Sequence, residues 1–183
     1  MSPSQPLEAT IGDEFQGCFK TVADAARASV LVRLMLLVAD GGADSRYGLG
    51  SGTVTVLDAG RSPASQDGPG WWSARGAIDR AAQLGNASRT SFVRTCFTQW
   101  RDGPTPWEGY DAAVEAFLLC RDAAIGHMTD RQRRLLLGVM LGHGQGDLAA
   151  QEGITQSAVS QTLSRSGATA IEAAHRRLES VET

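Results

Sequence analysis

The stretch that most restricts what this chain can fold into is Gln145 to Ser166, QGDLAAQEGITQSAVSQTLSRS. Leu148 and Ala149 are placed to line the inner face of a first short helix. Gly153 falls where the chain must turn sharply, and a residue without Cβ accepts that conformation at no steric cost. Ile154 plugs the corner, and Thr155 is placed to N-cap a second helix. Val159 and Leu163, four apart, give that helix one apolar side. Its other side carries Gln156, Ser157, Ser160, Gln161, Ser164 and Arg165. These are short hydrogen-bonding groups with one cation at the end, the chemistry that a helix entering the major groove needs. The pattern predicts a helix-turn-helix. Two short helices around a glycine also occur in all-α domains that bind no nucleic acid. The coincidence of Ala149, Gly153, Val159 and a polar outer face favours DNA.

The charge balance restricts how such binding would work. Among 183 residues the net charge is −3, so any contact with DNA must come from a local patch; Lys20 is the only lysine. Cys18, Cys96 and Cys120 are odd in number and show no metal-ligand spacing, which reads as three reduced thiols and no metal site. His127, His143 and His175 are also far apart and read as surface residues. The most apolar run, Val30 to Ala39, is too short to span a membrane and is interrupted by Arg33, so it reads as a buried helix. With no secretory leader recognised, the expected location is cytoplasmic.

Along the chain, 1–6 reads as a disordered lead. Leu7 to Phe19 reads as a hairpin with Gly12-Asp13 at its tip. A helix over Thr21 to Val38 follows, and Gly41-Gly42 ends it. Arg46 to Leu57 alternates like a strand, with Gly48, Gly50 and Gly52 on one face, where a helix or a ligand can approach closely. No helix follows directly, so this is not a dinucleotide fingerprint. A loop over Asp58 to Gly70, a helix over Trp71 to Leu84, a strand over Ser91 to Thr98 and a break over Arg101 to Pro106 complete the first half. Trp100 and Trp107 flank the break and read as fasteners. Tyr110 to Ile125 is a third long helix, Arg131 to Leu141 a fourth, capped by Thr129 or Asp130, and Ala168 to Leu178 the last. The expected fold is α+β, a small antiparallel sheet with helices on one face, followed by an all-α helix-turn-helix domain.

Three blocks carry a family resemblance: TIGDEFQGCF with DAARAS, then RYGLGSGTV, then DGPGWWSARGAI. Together they resemble the SatD family of bacterial proteins, which pairs such a region with a C-terminal helix-turn-helix. The ITQSAVSQTLSR run is similar to the recognition helix of region 4 of bacterial sigma factors. The same three blocks are also similar to the palm fold of class III nucleotidyl cyclases and GGDEF proteins. That likeness implies an incomplete ferredoxin-like or palm-type sheet, with Asp13 as the carboxylate for a divalent metal. It matches the family's Asn-x-x-x-Arg helix only in Arg75, since Trp71 stands at the asparagine. Two-metal chemistry needs carboxylates from two strands, and the strand that should carry the second is expected to be absent. The expectation is therefore no enzyme and no cofactor, with Asp13 and Glu14 as solvated hairpin-tip charges. A pocket of Asp13, Glu14, Gly48, Gly50 and Arg75 for a nucleotide or small effector is the alternative. A sheet lacking a strand has an open edge, and this motivates an expected homodimer.

The reading is thus of a transcription regulator that binds double-stranded DNA: lead 1–6, sensing or interaction domain 7–106, connector helix 107–127 and helix-turn-helix domain 128–183. Arg131, Arg133, Arg134, Arg165, Arg176 and Arg177 are candidates for phosphate contacts. Thr155, Gln156, Ser157, Ser160, Gln161 and Ser164 are the helix's candidate DNA-facing residues. The rivals are a degenerate cyclase-like nucleotide or metal binder, and a helix-turn-helix module that contacts the transcription machinery.

Overall fold

The computed structural model describes residues 3–10, 12–61, 63–102 and 109–182. Among the described residues six short strands and seven α-helices succeed one another: β1 (Gln5–Ala9), β2 (Phe15–Cys18), α1 (Val22–Val38), β3 (Tyr47–Ser51), β4 (Thr55–Asp58), β5 (Ser65–Asp67), α2 (Pro69–Asn86), β6 (Thr95–Gln99), α3 (Tyr110–His127), α4 (Asp130–Met140), α5 (Gln145–Glu152), α6 (Gln156–Arg165) and α7 (Ala168–Glu182). The mixture of α and β is as the sequence predicts. Trp107 and residues 103–106 of the expected break lie outside the described residues. β1 begins at Gln5, inside the stretch expected as a disordered lead.

The single antiparallel sheet expected from the sequence is replaced, among the described residues, by three two-stranded sheets. β1–β2 and β4–β5 are antiparallel hairpins. The first turns through Gly12-Asp13 as predicted, with Gly12 at φ +67°. The third pair, β3–β6, is parallel, running from Tyr47 opposite Thr95 to Ser51 opposite Gln99. A parallel pair needs a crossover of about a dozen residues or more, and here β4, β5 and α2 provide it. The run expected as one strand over Arg46 to Leu57 accordingly breaks after Ser51.

Glycine decides what covers β3. A Cβ on Gly48 would lie 2.3 Å from the Ala74 carbonyl oxygen, and one on Gly50 would lie 2.2 Å from the Ala74 nitrogen. α2 therefore rests on bare backbone, and Ala77, Ala81, Val93 and Cys96 close that side. On the opposite side Leu49 and Phe97 meet Ala26 of α1 and Val114 and Leu118 of α3. Helices cover both faces of the pair, where one covered face was expected. The side chains alternate across the strands, so one short parallel pair separates two apolar layers.

α1 joins the two halves of the chain. Thr21 caps it, accepting a hydrogen bond from the Asp24 N–H at 3.0 Å. Ala26 faces the β3–β6 pair, whereas Val30 and Leu34 enter a second core with Ile125, Met128, Leu135, Leu136, Met140, Leu148, Val159, Leu163 and Ile171. A helix apolar on several sides must be covered on several sides. The core beneath α4 to α7 therefore includes residues from both sides of position 106. No helix among the described residues is long and apolar enough to cross a membrane.

Candidate nucleic-acid interface

The α5–α6 corner is built as its residues require. Gly153 adopts the left-handed conformation, φ 64° and ψ 35°, which a residue with a Cβ adopts only at a cost. The chain reverses there, and the Ile154 N–H returns to the Ala149 carbonyl at 3.0 Å. Thr155 begins α6 by accepting the Ala158 N–H at 3.2 Å. Leu148, Ala149, Val159 and Leu163 are buried, and Ile154 packs against them. Gly138 of α4 allows this close seat: a Cβ there would lie 2.3 Å from the Leu148 side chain. The α4 start is fixed by a capping box, with Gln132 and Thr129 each bonding the other's backbone.

The outer side of α6 is uncovered. Thr155, Gln156, Ser157, Ser160, Gln161, Ser164 and Arg165 are all exposed. One weak contact, Gln161 to Ser157 at 3.5 Å, links them along the helix. Arg165 and Arg177 have no carboxylate at ion-pair distance among the described residues. Arg131 and Arg134 differ, because both reach Glu152 at the end of α5, at 3.4 and 2.6 Å. The Arg134 hydrogen bond leads in holding the Glu152 carboxyl below its ordinary range, against a smaller opposing effect of burial. Arg133 turns away, to Asp130 at 3.0 Å and the Gly126 carbonyl. Arg176 lies 3.8 Å from Glu172, which also takes Arg27.

The residues expected to form a first-half pocket are not gathered into one. Gly48 and Gly50 face α2 and leave no room for a ligand. Glu14 and Arg75 do meet, at 3.2 Å, but as a surface pair with both side chains half exposed or more. The guanidinium lowers the Glu14 carboxyl from its ordinary value. Asp13 is exposed at the hairpin tip. Among the described residues no group of His, Cys, Asp and Glu is placed to hold a metal ion.

A buried polar cluster lies between α1, α3 and β6, and periodicity did not reveal it. Asp122 is fully buried. Its carboxylate accepts from the Arg94 and Thr95 backbone N–H groups at 2.8 and 2.6 Å and from Arg33 at 3.2 Å. Arg121, also fully buried, reaches Thr95 at 2.6 Å, Asp122 at 3.2 Å and the Ala26 carbonyl at 2.9 Å. Asp44 is clamped between Arg33 at 2.9 Å and Arg94 at 2.7 Å. Burial raises its carboxyl, but the two guanidiniums prevail and hold it below the ordinary range. The signal available in the sequence was Arg33 inside an apolar run, which marks a buried partner.

His175, expected at the surface, is 1 % exposed. Its ring meets Phe117 edge-on at 4.9 Å, and neither nitrogen has a hydrogen-bond partner. Burial, reinforced by Arg121 and Arg27, pushes its pKa down to about 3. His127 and His143 are exposed as expected. No protein-family model matches this chain, and neither do any of the curated proteins or solved structures compared with it.

Proposed function

We propose that this chain is a sequence-specific DNA-binding regulator in which α5 and α6 form a helix-turn-helix. The supporting observation is the free outer face of α6: its serines, glutamines and Arg165 are exposed, while Val159 and Leu163 anchor the helix from behind. A ten-residue helix is about 15 Å long, and the B-DNA major groove is about 12 Å wide. In this reading Gln156, Ser157, Ser160 and Gln161 meet base edges, with Thr155 and Ser164 beside them. Arg165 and Arg177 meet phosphates directly, whereas Arg131 and Arg134 must exchange Glu152 for phosphate. The SatD-like resemblance of the first half belongs to the same proposal, with 7–106 as a sensing or interaction region. A homodimer through the open strand edges would present two α6 helices, one per half-site, about 34 Å apart. Val56 and Leu57, 53 % and 65 % exposed on β4, offer apolar surface for it.

A second reading rests on the charge of the same unit. Residues 128–183 contain six arginines and six carboxylates, so the long-range pull on a polyanion is weak. This favours a helix-turn-helix that docks on a protein of the transcription machinery. A mobility shift with genomic fragments at low salt separates the two. A retarded band that Arg165→Ala weakens on every sequence supports DNA binding. With no retardation at the lowest salt, the protein-docking reading replaces it. Gln161→Ala should relax preference by ~1–3 kcal/mol at one base pair only.

A further inference from the structure

A cavity of about 240 Å³ opens between α1, the start of β6 and the α3–α4 corner. It holds the equivalent of about eight waters at ~30 Å³ each. Its lining brings together Arg33 of α1, Arg94 before β6, His127 at the end of α3 and Arg133 of α4. Asp44 is the single acid of that lining, and Arg33 and Arg94 already clamp it. Arg133 spends one terminal nitrogen on Asp130 and the other on the Gly126 carbonyl. Its Nε is buried and has no partner. Each terminal nitrogen carries two hydrogens, so each keeps one donor for an oxygen placed in the cavity.

We propose that this cavity is a binding site for a small oxyanion, one bearing a phosphate or carboxylate group. Planar guanidiniums suit both groups, since their donors match two oxygens at once. Arg133 and Arg94 approach from different elements, so a bound anion ties α4 to the buried cluster beneath α1 and β6. α4 is also the helix on which α5 and α6 pack. An anion there is positioned to set the α6 face, and this consequence alone rests on the DNA-binding reading. The site itself does not.

The test uses the full chain and two probes, inorganic phosphate and malonate, at ionic strength held constant with chloride. Calorimetry should give saturable binding of at least one probe with a Kd of ~1–10 mM, and the preferred probe identifies the oxyanion class. Arg133→Met should weaken that binding by about tenfold or more, the loss of one charge-assisted hydrogen bond. Arg101→Met, whose guanidinium pairs with Asp111 at 2.8 Å, away from the cavity lining, should leave it unchanged. If Arg133→Met fails to fold, amide shifts of Ser91, Gly126 and His127 on adding phosphate to the unmutated protein take its place. The absence of saturable binding of either probe up to ~50 mM overturns the site. Equal loss in the Arg133 and Arg101 variants, or amide shifts confined to other residues, also overturns it. Anion binding is read without DNA, so a failed mobility shift leaves this result standing.

Discussion

The α6 surface and the α1–α3–β6 interior use polar side chains in opposite ways. On α6 the polar groups are mostly uncharged, exposed and nearly free of internal partners. In the interior the groups are charged, buried and held by several contacts each, with Asp122 alone accepting from Arg33, Arg94, Thr95 and Arg121. The interior arrangement fixes shape, because a buried charge tolerates little displacement from its partners. The surface arrangement leaves hydrogen-bonding capacity for another molecule. Under the proposed DNA-binding reading, an interior that fixes shape and a surface with unspent donors together suit reproducible recognition.

The comparison breaks most severely at Asp122. Asp122→Ala leaves Arg121 and Arg33 buried with fewer partners and should cost ~3–5 kcal/mol, read by urea denaturation; a loss below ~1 kcal/mol would mean water reaches the cluster. Gly50→Ala sets a methyl against α2 backbone and should cost up to ~3 kcal/mol, also visible as a shift of the urea midpoint. Little change there would show that α2 can slide off the glycine strand.

His175 supplies a pH-dependent contrast. Its folded pKa is about 3, below the ordinary 6.5, so the unfolded chain takes up a proton first as pH falls. The contribution is whole above pH 6.5 and drains away towards pH 3. The loss is ~1.4 kcal/mol per pH unit in that window. His175→Phe removes the titrating group and keeps a ring against Phe117. Relative to the unmodified chain it should gain ~2 kcal/mol between pH 7.5 and pH 5, and parallel stability profiles would show that water already reaches the imidazole. The smallest effect is expected at the surface: Arg134→Ala should change stability by less than ~1 kcal/mol, because the Glu152 pair is partly exposed. A larger loss would make that pair part of the interior scheme.

Much of the α6 region was legible in the sequence. Gly153, Thr155, Val159 and Leu163 each have a local role that spacing reveals, and all four perform it. The first half was less legible. The glycines of β3 announced a close approach without saying whether a helix or a ligand makes it, and α2 occupies the space. Strand direction is not legible in the sequence, because side chains alternate alike in parallel and antiparallel pairs, and β3 and β6 run parallel. Arg121 and Asp122 sit at helical spacing from Val114, Leu118 and Ile125, so their burial needed the partner strand to be known.

The sequence by itself determined the helices, the Gly12-Asp13 hairpin and the corner at Gly153, since caps, turns and apolar periodicity act over a few residues. Only the tertiary structure decided that β3 and β6 run parallel, that α1 reaches the core of the C-terminal helices and that three arginines share a cavity. Those outcomes depend on contacts between residues as far apart as Arg33 and Asp122 or Arg27 and Glu172. Local free energies are silent about such pairs until the chain has closed on itself.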